Sequence, residues 1–237
     1  MRRLLQKVGL GNSEPRVVPS CGRMTYSQCG EDVIVDYIFG LKKITAPSYL
    51  DLGAHDPWYL NNTALFYQRG CRGINVEPNP ELHRRFEQSR PGDVNLNVGT
   101  GGKAGRLPLF IMEDPTLSTF SPDDVGQLAA HGHQVAESRA IEVSTISDVV
   151  DRHAAGRFPD FLSMDVEGME EEILQGIDYR SNAPKVICLE TAEYSPSGRG
   201  AKRRSLMQFV LERGFEVYAD TNLNTIFVRS DFWRSDQ

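Results

Sequence analysis

The chain has 237 residues, of which 24% are charged and 40% hydrophobic, with a formal net charge of −6. That length supports one well-buried domain with a few tens of residues to spare, and the acidic balance excludes a typical nucleic-acid binder while favouring a small or neutral substrate. Met1-Arg2-Arg3-Leu4-Leu5 starts like an export signal, but Gln6 and Lys7 interrupt it, and no stretch could span a bilayer. Cys21, Cys29, Cys71 and Cys188 show neither zinc spacing nor disulfide density, so a cytoplasmic protein with reduced thiols is expected.

Residues 1–24 mix Gly, Pro, Arg and Ser without periodicity and read as a partly flexible N-terminal arm; residues 25–237 read as a single domain. Gly30-Glu31-Asp32 leads into a helical stripe of Val33, Ile34, Tyr37, Ile38 and Leu41, with the acids in the first turn. Tyr49-Leu50-Asp51 is the first strand, and it opens into the turn Gly53-Ala54-His55-Asp56-Pro57 before a helix over Thr63 to Arg69. A second strand, Gly73 to Val76, ends in Glu77. Pro78-Asn79-Pro80 then breaks the chain before a polar helix that turns Leu82 and Phe86 inward.

Val94 to Val98 is the third strand, followed by a cluster of glycines from Gly99 to Gly105, and Arg106 to Met112 alternates like a strand outside the main sheet. Residues 113–140 are the least regular part of the domain and read as a substrate-side insert. Ile141 to Ser144 is a strand and Thr145 to His153 a helix. Phe161 to Met164 is an apolar strand tipped by Asp165, Glu167 and Gly168, and Lys185 to Leu189 is a buried strand ending at Glu190. A helix from Ser205 to Arg213 and a hairpin of Phe215–Ala219 with Thr225–Arg229 close the chain. Strands alternating with helices imply an α/β fold with a mostly parallel sheet, to which the hairpin adds an antiparallel strand.

In such sheets ligands bind at the carboxyl ends of strands, and an acid there, Glu77, suits a ribose diol. A dinucleotide loop needs G-x-G-x-x-G, and after Gly53 this chain has no such glycines; Asp56 adds negative charge where a phosphate would sit. A ribose cofactor without phosphates, such as S-adenosylmethionine (SAM), fits the loop better. An NAD-dependent oxidoreductase and a non-catalytic Rossmann-like binding module are the alternatives.

The chain resembles the FkbM family of SAM-dependent methyltransferases from Tyr26 to the last strand. The resemblance is carried by Tyr26-Ser27-Gln28-Cys29-Gly30-Glu31-Asp32, Tyr49-Leu50-Asp51-Leu52-Gly53-Ala54, Asn75-Val76-Glu77-Pro78-Asn79 and, above all, Met164-Asp165-Val166-Glu167-Gly168-Met169-Glu170 with Ile173-Leu174-Gln175-Gly176. His55 and Asp56-Pro57 stand where members usually carry Asn and a later Gly. The resemblance implies a Rossmann-like class I methyltransferase fold with a seven-stranded sheet. It also implies methyl transfer to oxygen, often on a sugar of a polysaccharide or glycosylated metabolite.

On this reading Glu77 binds the ribose, Asp51, Gly53 and Ala54 line the amino-acid end of the cofactor, Asn79 and the Gly99 turn flank adenine, and Tyr26 and Gln28 close over it. A sugar hydroxyl is weakly acidic and needs a base, a metal or both. Asp165 and Glu190 end neighbouring strands and can converge on one hard cation such as Mg2+, an arrangement similar to that of magnesium-dependent sugar O-methyltransferases; a histidine, His55 foremost, is the metal-free base. His131 and His133 reach the acceptor if the insert folds over the site. Ser118, Thr119 and Tyr194 are candidates for the substrate side, and Lys202-Arg203-Arg204 is either a solvated helix start or a seat for an anionic acceptor. The expected partner is a carbohydrate or other small hydroxylated acceptor, with a homodimer as the default assembly.

Overall fold

The computed structural model describes residues 22–166, 168–193, 195 and 200–235, so most of the expected N-terminal arm and Tyr194 lie outside the described residues. The first half of the chain runs α1 (Glu31–Leu41), β1 (Tyr49–Leu52), α2 (Ala64–Gln68), β2 (Gly73–Val76), α3 (Pro80–Ser89) and β3 (Val94–Leu96). Short β4 (Gly99–Thr100), then β5 (Gly105–Met112), α4 (Pro122–Ala130) and β6 (Val135–Ser144) follow. The second half runs α5 (Ile146–His153), β7 (Phe161–Met164), α6 (Glu170–Leu174), β8 (Val186–Glu190), α7 (Arg204–Leu211), β9 (Phe215–Asp220), β10 (Asn224–Arg229) and α8 (Ser230–Arg234).

Seven strands form one sheet in the order β3-β2-β1-β7-β8-β10-β9. The first five are mutually parallel, and β10 runs antiparallel to both β8 and β9. The chain walks outward from β1 to β2 and β3, then returns to β7 on the other side of β1. That reversal opens a crevice between the carboxyl ends of β1 and β7, where open α/β sheets bind ligands. Side chains alternate across β1: Leu50 and Leu52 pack with Val76, Leu162, Met164 and Leu174 on one face, and Tyr49 packs with Phe39, Phe66 and Phe161 on the other. Both faces are covered, as the continuous apolar runs of these strands require.

Helix starts follow their caps. Asn79, Ser121 and Thr145 each accept a backbone N–H of the first helical turn, and α3 and α4 each carry a proline just inside the helix. The acids of α1 do more than face the helix dipole. Asp32 is fully buried and accepts from Thr25 Oγ1 (2.6 Å), Ser27 Oγ (2.9 Å) and the Tyr26 amide (2.7 Å). Glu31, equally buried, accepts from the Cys29 amide and from Thr221 and Asn224 in the β9–β10 turn. α1 thereby ties the entry segment to the terminal hairpin.

Two expectations need correction. The insert is not irregular: Val135–Ala140 extends β6, pairing with β5 through Met112↔Val135 and Pro108↔Ala140. These six residues are all exposed or nearly so, and therefore lack the apolar alternation that marks a strand. Gly99 lies in β4, not in a turn, so β4, β6 and β5 form a second, three-stranded sheet standing beside the main one.

Candidate active site

A cavity of about 570 Å³ lies over the β1/β7 crevice. Its floor is the set of strand tips, and its outer wall is the insert, through Leu109, Pro115 to Phe120, Asp124, Gln127 and Leu128. The residues of this wall come from a folded sheet and helix.

The β1 tip turns sharply at Gly53. Its φ of +73° is glycine territory, and an added Cβ would stand 1.8 Å from the Asp165 carbonyl oxygen. The amides of Gly53 and Ala54 both donate to the Val76 carbonyl (3.0 and 3.1 Å), drawing the loop across the end of β2. There Glu77, 5% exposed, accepts from the His55 amide (2.8 Å) and the Asn79 amide (2.7 Å), one on each carboxylate oxygen. Burial pushes its pKa up to about 8 against the pull of those two amides, with the charges of Asp51 and Asp165 adding to the rise. Each oxygen keeps a second acceptor position, which suits a vicinal diol.

Asp51 is held deep in β1 by Thr63 Oγ1 (2.8 Å) and Asn61 Nδ2 (3.2 Å), with Ser163 as a further hydrogen-bond partner; burial raises its pKa. Beneath it sits a wholly buried guanidinium. Arg90 reaches Asp93 (2.8 Å), Asn61 Oδ1, Thr63 Oγ1 and the Tyr49 hydroxyl, so the residues that orient Asp51 are themselves oriented by a cation. Asn62 donates to Ser163 Oγ (3.2 Å), while its own Oδ1 and Thr100 Oγ1 are buried with no hydrogen-bond partner among the described residues; both residues line the cavity.

Across the crevice, Asp165 follows β7 with its amide donating to the Leu52 carbonyl (3.0 Å). Its side chain opens into the cavity and shares a hydrogen bond with Glu190, at the tip of β8. The surrounding protein still desolvates it strongly. With the charge of Glu170 added, this lifts its pKa to about 6, against the lowering pull of Glu190 and Arg203. Glu170, fully buried, is paired with Arg203 at 2.7 Å. No three His, Cys, Asp or Glu side chains among the described residues group as a metal site. Asp165 and Glu190 bring two carboxyl groups from neighbouring strand tips to one edge of the cavity.

The cavity gathers many of the residues singled out from sequence: Gln28, Asp51, Gly53, Ala54, His55, Glu77, Asn79, Ser118, Thr119, Asp165 and Glu190 all line it. Others fall elsewhere. Tyr26 turns its ring onto Trp58 (5.8 Å between centroids) and is not part of the lining. Gly99 makes room for Phe120, whose ring would meet an added Cβ at 2.6 Å; it is Phe120 and Thr100 that reach the cavity. His131 sits at the end of α4 with its Nδ1 on the Gln127 carbonyl, and neither it nor His133 lines the cavity. Lys202 pairs with Asp220 and Arg203 with Glu170, and of the two only Arg203 lines the cavity. Sequence reasoning missed Asn61, Asn62, Thr100 and Glu170, which also line the cavity. The Asn61-Asn62-Thr63 run before α2 was a visible signal, but the Glu170–Arg203 pairing spans too many residues to show in a local pattern.

A parallel sheet reversed at β1/β7, closed by an antiparallel terminal strand and bearing an acid at the β2 tip, is the class I methyltransferase fold. Residues 51–217 match the methyltransferase FkbM domain, and the chain belongs to the FkbM family of SAM-dependent methyltransferases. It is 24% identical to the methyltransferase sdnD of Sordaria araneosa over 221 residues, 80% of this chain and 82% of that protein. Among solved structures, FkbM from Methylobacillus flagellatus is 17% identical with a TM-score of 0.44 over 78% of this chain, which spans 44% of that chain's length. A TehB-like SAM-dependent methyltransferase from Corynebacterium glutamicum is 14% identical with a TM-score of 0.46, covering 88% of this chain and 90% of its own.

Proposed function

We propose that the protein is a SAM-dependent O-methyltransferase that methylates a hydroxyl of an uncharged carbohydrate or similar polyol. The observation that carries this reading is the placement of two kinds of carboxylate on one cavity: Glu77, clamped by backbone amides beside the glycine turn, and the Asp165–Glu190 pair across the sheet reversal.

The cavity fits the cofactor at both ends. Glu77 would hold the ribose hydroxyls, and Asn79 and Thr100 border the base. Asp51, Gly53 and Ala54 face the amino-acid end. When bound, SAM supplies an electrophilic methyl group on a positively charged sulfur. The protein must then hold the acceptor oxygen in line and take its proton. Asp165 suits that task. With its pKa near 6 it is ionised at neutral pH yet more basic than an ordinary aspartate, and Glu190 holds it in place through their hydrogen bond. His55 has its backbone committed to Glu77, and burial lowers the pKa of its ring, so it serves the ribose side as a neutral contact. Ser118 and Thr119, on the insert, face the acceptor. With Lys202 and Arg203 both paired, an uncharged acceptor suits this end of the cavity better than a phosphorylated one.

Incubation with labelled SAM and a panel of mono- and oligosaccharides, with and without EDTA, tests the reading. Label transfer to an uncharged sugar, unaffected by EDTA, is the expected result; loss of transfer with EDTA would return the metal to the mechanism. Asp165→Asn is expected to lower kcat by about 10²- to 10⁴-fold, the usual range for a positioned base. It should leave S-adenosylhomocysteine (SAH) binding within about threefold of wild type by calorimetry, because the residue lies across the crevice from the ribose clamp.

A further inference from the structure

We propose that the open edge of β6 pairs with the same edge of a second copy of this chain, joining the two β5–β6 hairpins into one antiparallel sheet across a two-fold axis at Ser138. β4 pairs only with Val143 and Ser144 of β6. From Val135 to Glu142, therefore, the side of β6 away from β5 has no strand beside it among the described residues. Val135 to Ala140 are exposed as well. An edge of this length presents backbone donors and acceptors to any strand that meets it.

The other sheet edges are guarded. β3, at one side of the main sheet, is three residues long, too short to template a partner. β9, at the other side, meets β10 through an irregular register, and a two-fold pairing centred on Tyr218 would set its Glu216 against Asp220. β5 carries Pro108 and is bridged at Phe110 by Thr119. Short strands, irregular registers, prolines and like charges are the devices that keep edges apart.

β6 has charges of both signs, arranged to complement themselves. Glu137 and Arg139 lie on one face of the strand, in contact at 2.7 Å. A two-fold axis at Ser138 puts Glu137 of each copy directly opposite Arg139 of the other, and Ala136 opposite Ala140. Each carboxylate then stands between two guanidinium groups. Moving the axis by one residue either way sets Glu137 against Glu137 or Arg139 against Arg139. Opposite charges across an antiparallel pair stabilise it and like charges destabilise it, and a two-fold contact makes each pair twice, so the charges select the register. The association needs neither cofactor nor acceptor and is independent of the methyl-transfer reading.

Sedimentation velocity at micromolar concentration tests it. Wild type should run as a dimer that added salt weakens. Arg139→Glu and Glu137→Arg each set like charges across the axis and should raise the dimer dissociation constant by about tenfold or more. The double variant Glu137→Arg/Arg139→Glu inverts both charges, restores the complementarity and should dimerise as wild type does. Both side chains are nearly half exposed, 48% for Glu137 and 44% for Arg139, so circular dichroism should show all three variants folded. A monomeric wild type, a dimer indifferent to either single reversal, or a double variant that is folded yet monomeric would overturn the proposal.

Discussion

Glu77→Ala is expected to weaken SAH binding by about a hundredfold or more. A carboxylate that accepts both hydroxyls of a diol makes two hydrogen bonds to a charged group, each worth about 1.5–3 kcal/mol, and every 1.4 kcal/mol is about tenfold in affinity. The pH dependence of the wild type gives a sharper signature. Only the ionised form of Glu77 can accept from both hydroxyls, and its pKa stands near 8, so SAH affinity should rise by about tenfold or more between pH 6 and pH 8. Stability of the unliganded protein should move the other way. The folded-state pKa lies above the ordinary value of 4.5, so across pH 4.5–8 the native state holds a proton that the unfolded chain releases. Stability is therefore lost as pH rises through that window. Glu77→Gln, which cannot ionise, should flatten both profiles; titration calorimetry and thermal unfolding across pH would show it.

The second large effect concerns the support beneath Asp51. Arg90 and Asp93 have fully buried side chains in contact at 2.8 Å, and Asp93 is further bonded to the Tyr49 hydroxyl, the Gly73 amide and Asn75. Arg90→Met leaves that carboxylate without its cation in the interior, a change that costs about 3–5 kcal/mol. For a domain of this size, that lowers Tm by about 10 °C. Arg90 also donates to Asn61 and Thr63, the two side chains that hold Asp51. SAH affinity should therefore fall in this variant although Arg90 does not line the cavity. The double variant Arg90→Met/Asp93→Asn removes both charges and should be less destabilised than Arg90→Met alone, measured by chemical denaturation.

The strand tips were legible in the sequence because each buried strand is a short apolar run that stops at an acid: Asp51 within β1, Glu77 after β2, Asp165 after β7 and Glu190 at the end of β8. Parallel pairing of these runs brings the acids to one edge of the sheet, where the cavity lies. Helix starts at Asn79, Ser121 and Thr145 were legible for the same local reason, a side chain that reaches its own first turn. Hidden features depend on partners distant in the chain. Val135–Ala140 is strand because β5 offers it a ladder, not because of its own pattern. Tyr26 meets Trp58, Arg203 meets Glu170 and Arg90 reaches under β1 through packing that no periodicity announces. Thr100 was missed because its informative property is the lack of a partner, which only packed coordinates display.

A crystal structure of the protein grown with SAH would bear most directly on how the cavity is used. It should show the ribose hydroxyls on the Glu77 carboxylate and the sulfur turned toward the side of the crevice where Asp165 meets Glu190. SAH lodged elsewhere, or seated with its ribose away from Glu77, would contradict the assignment of the β2 tip to the cofactor and of the β7 and β8 tips to the acceptor.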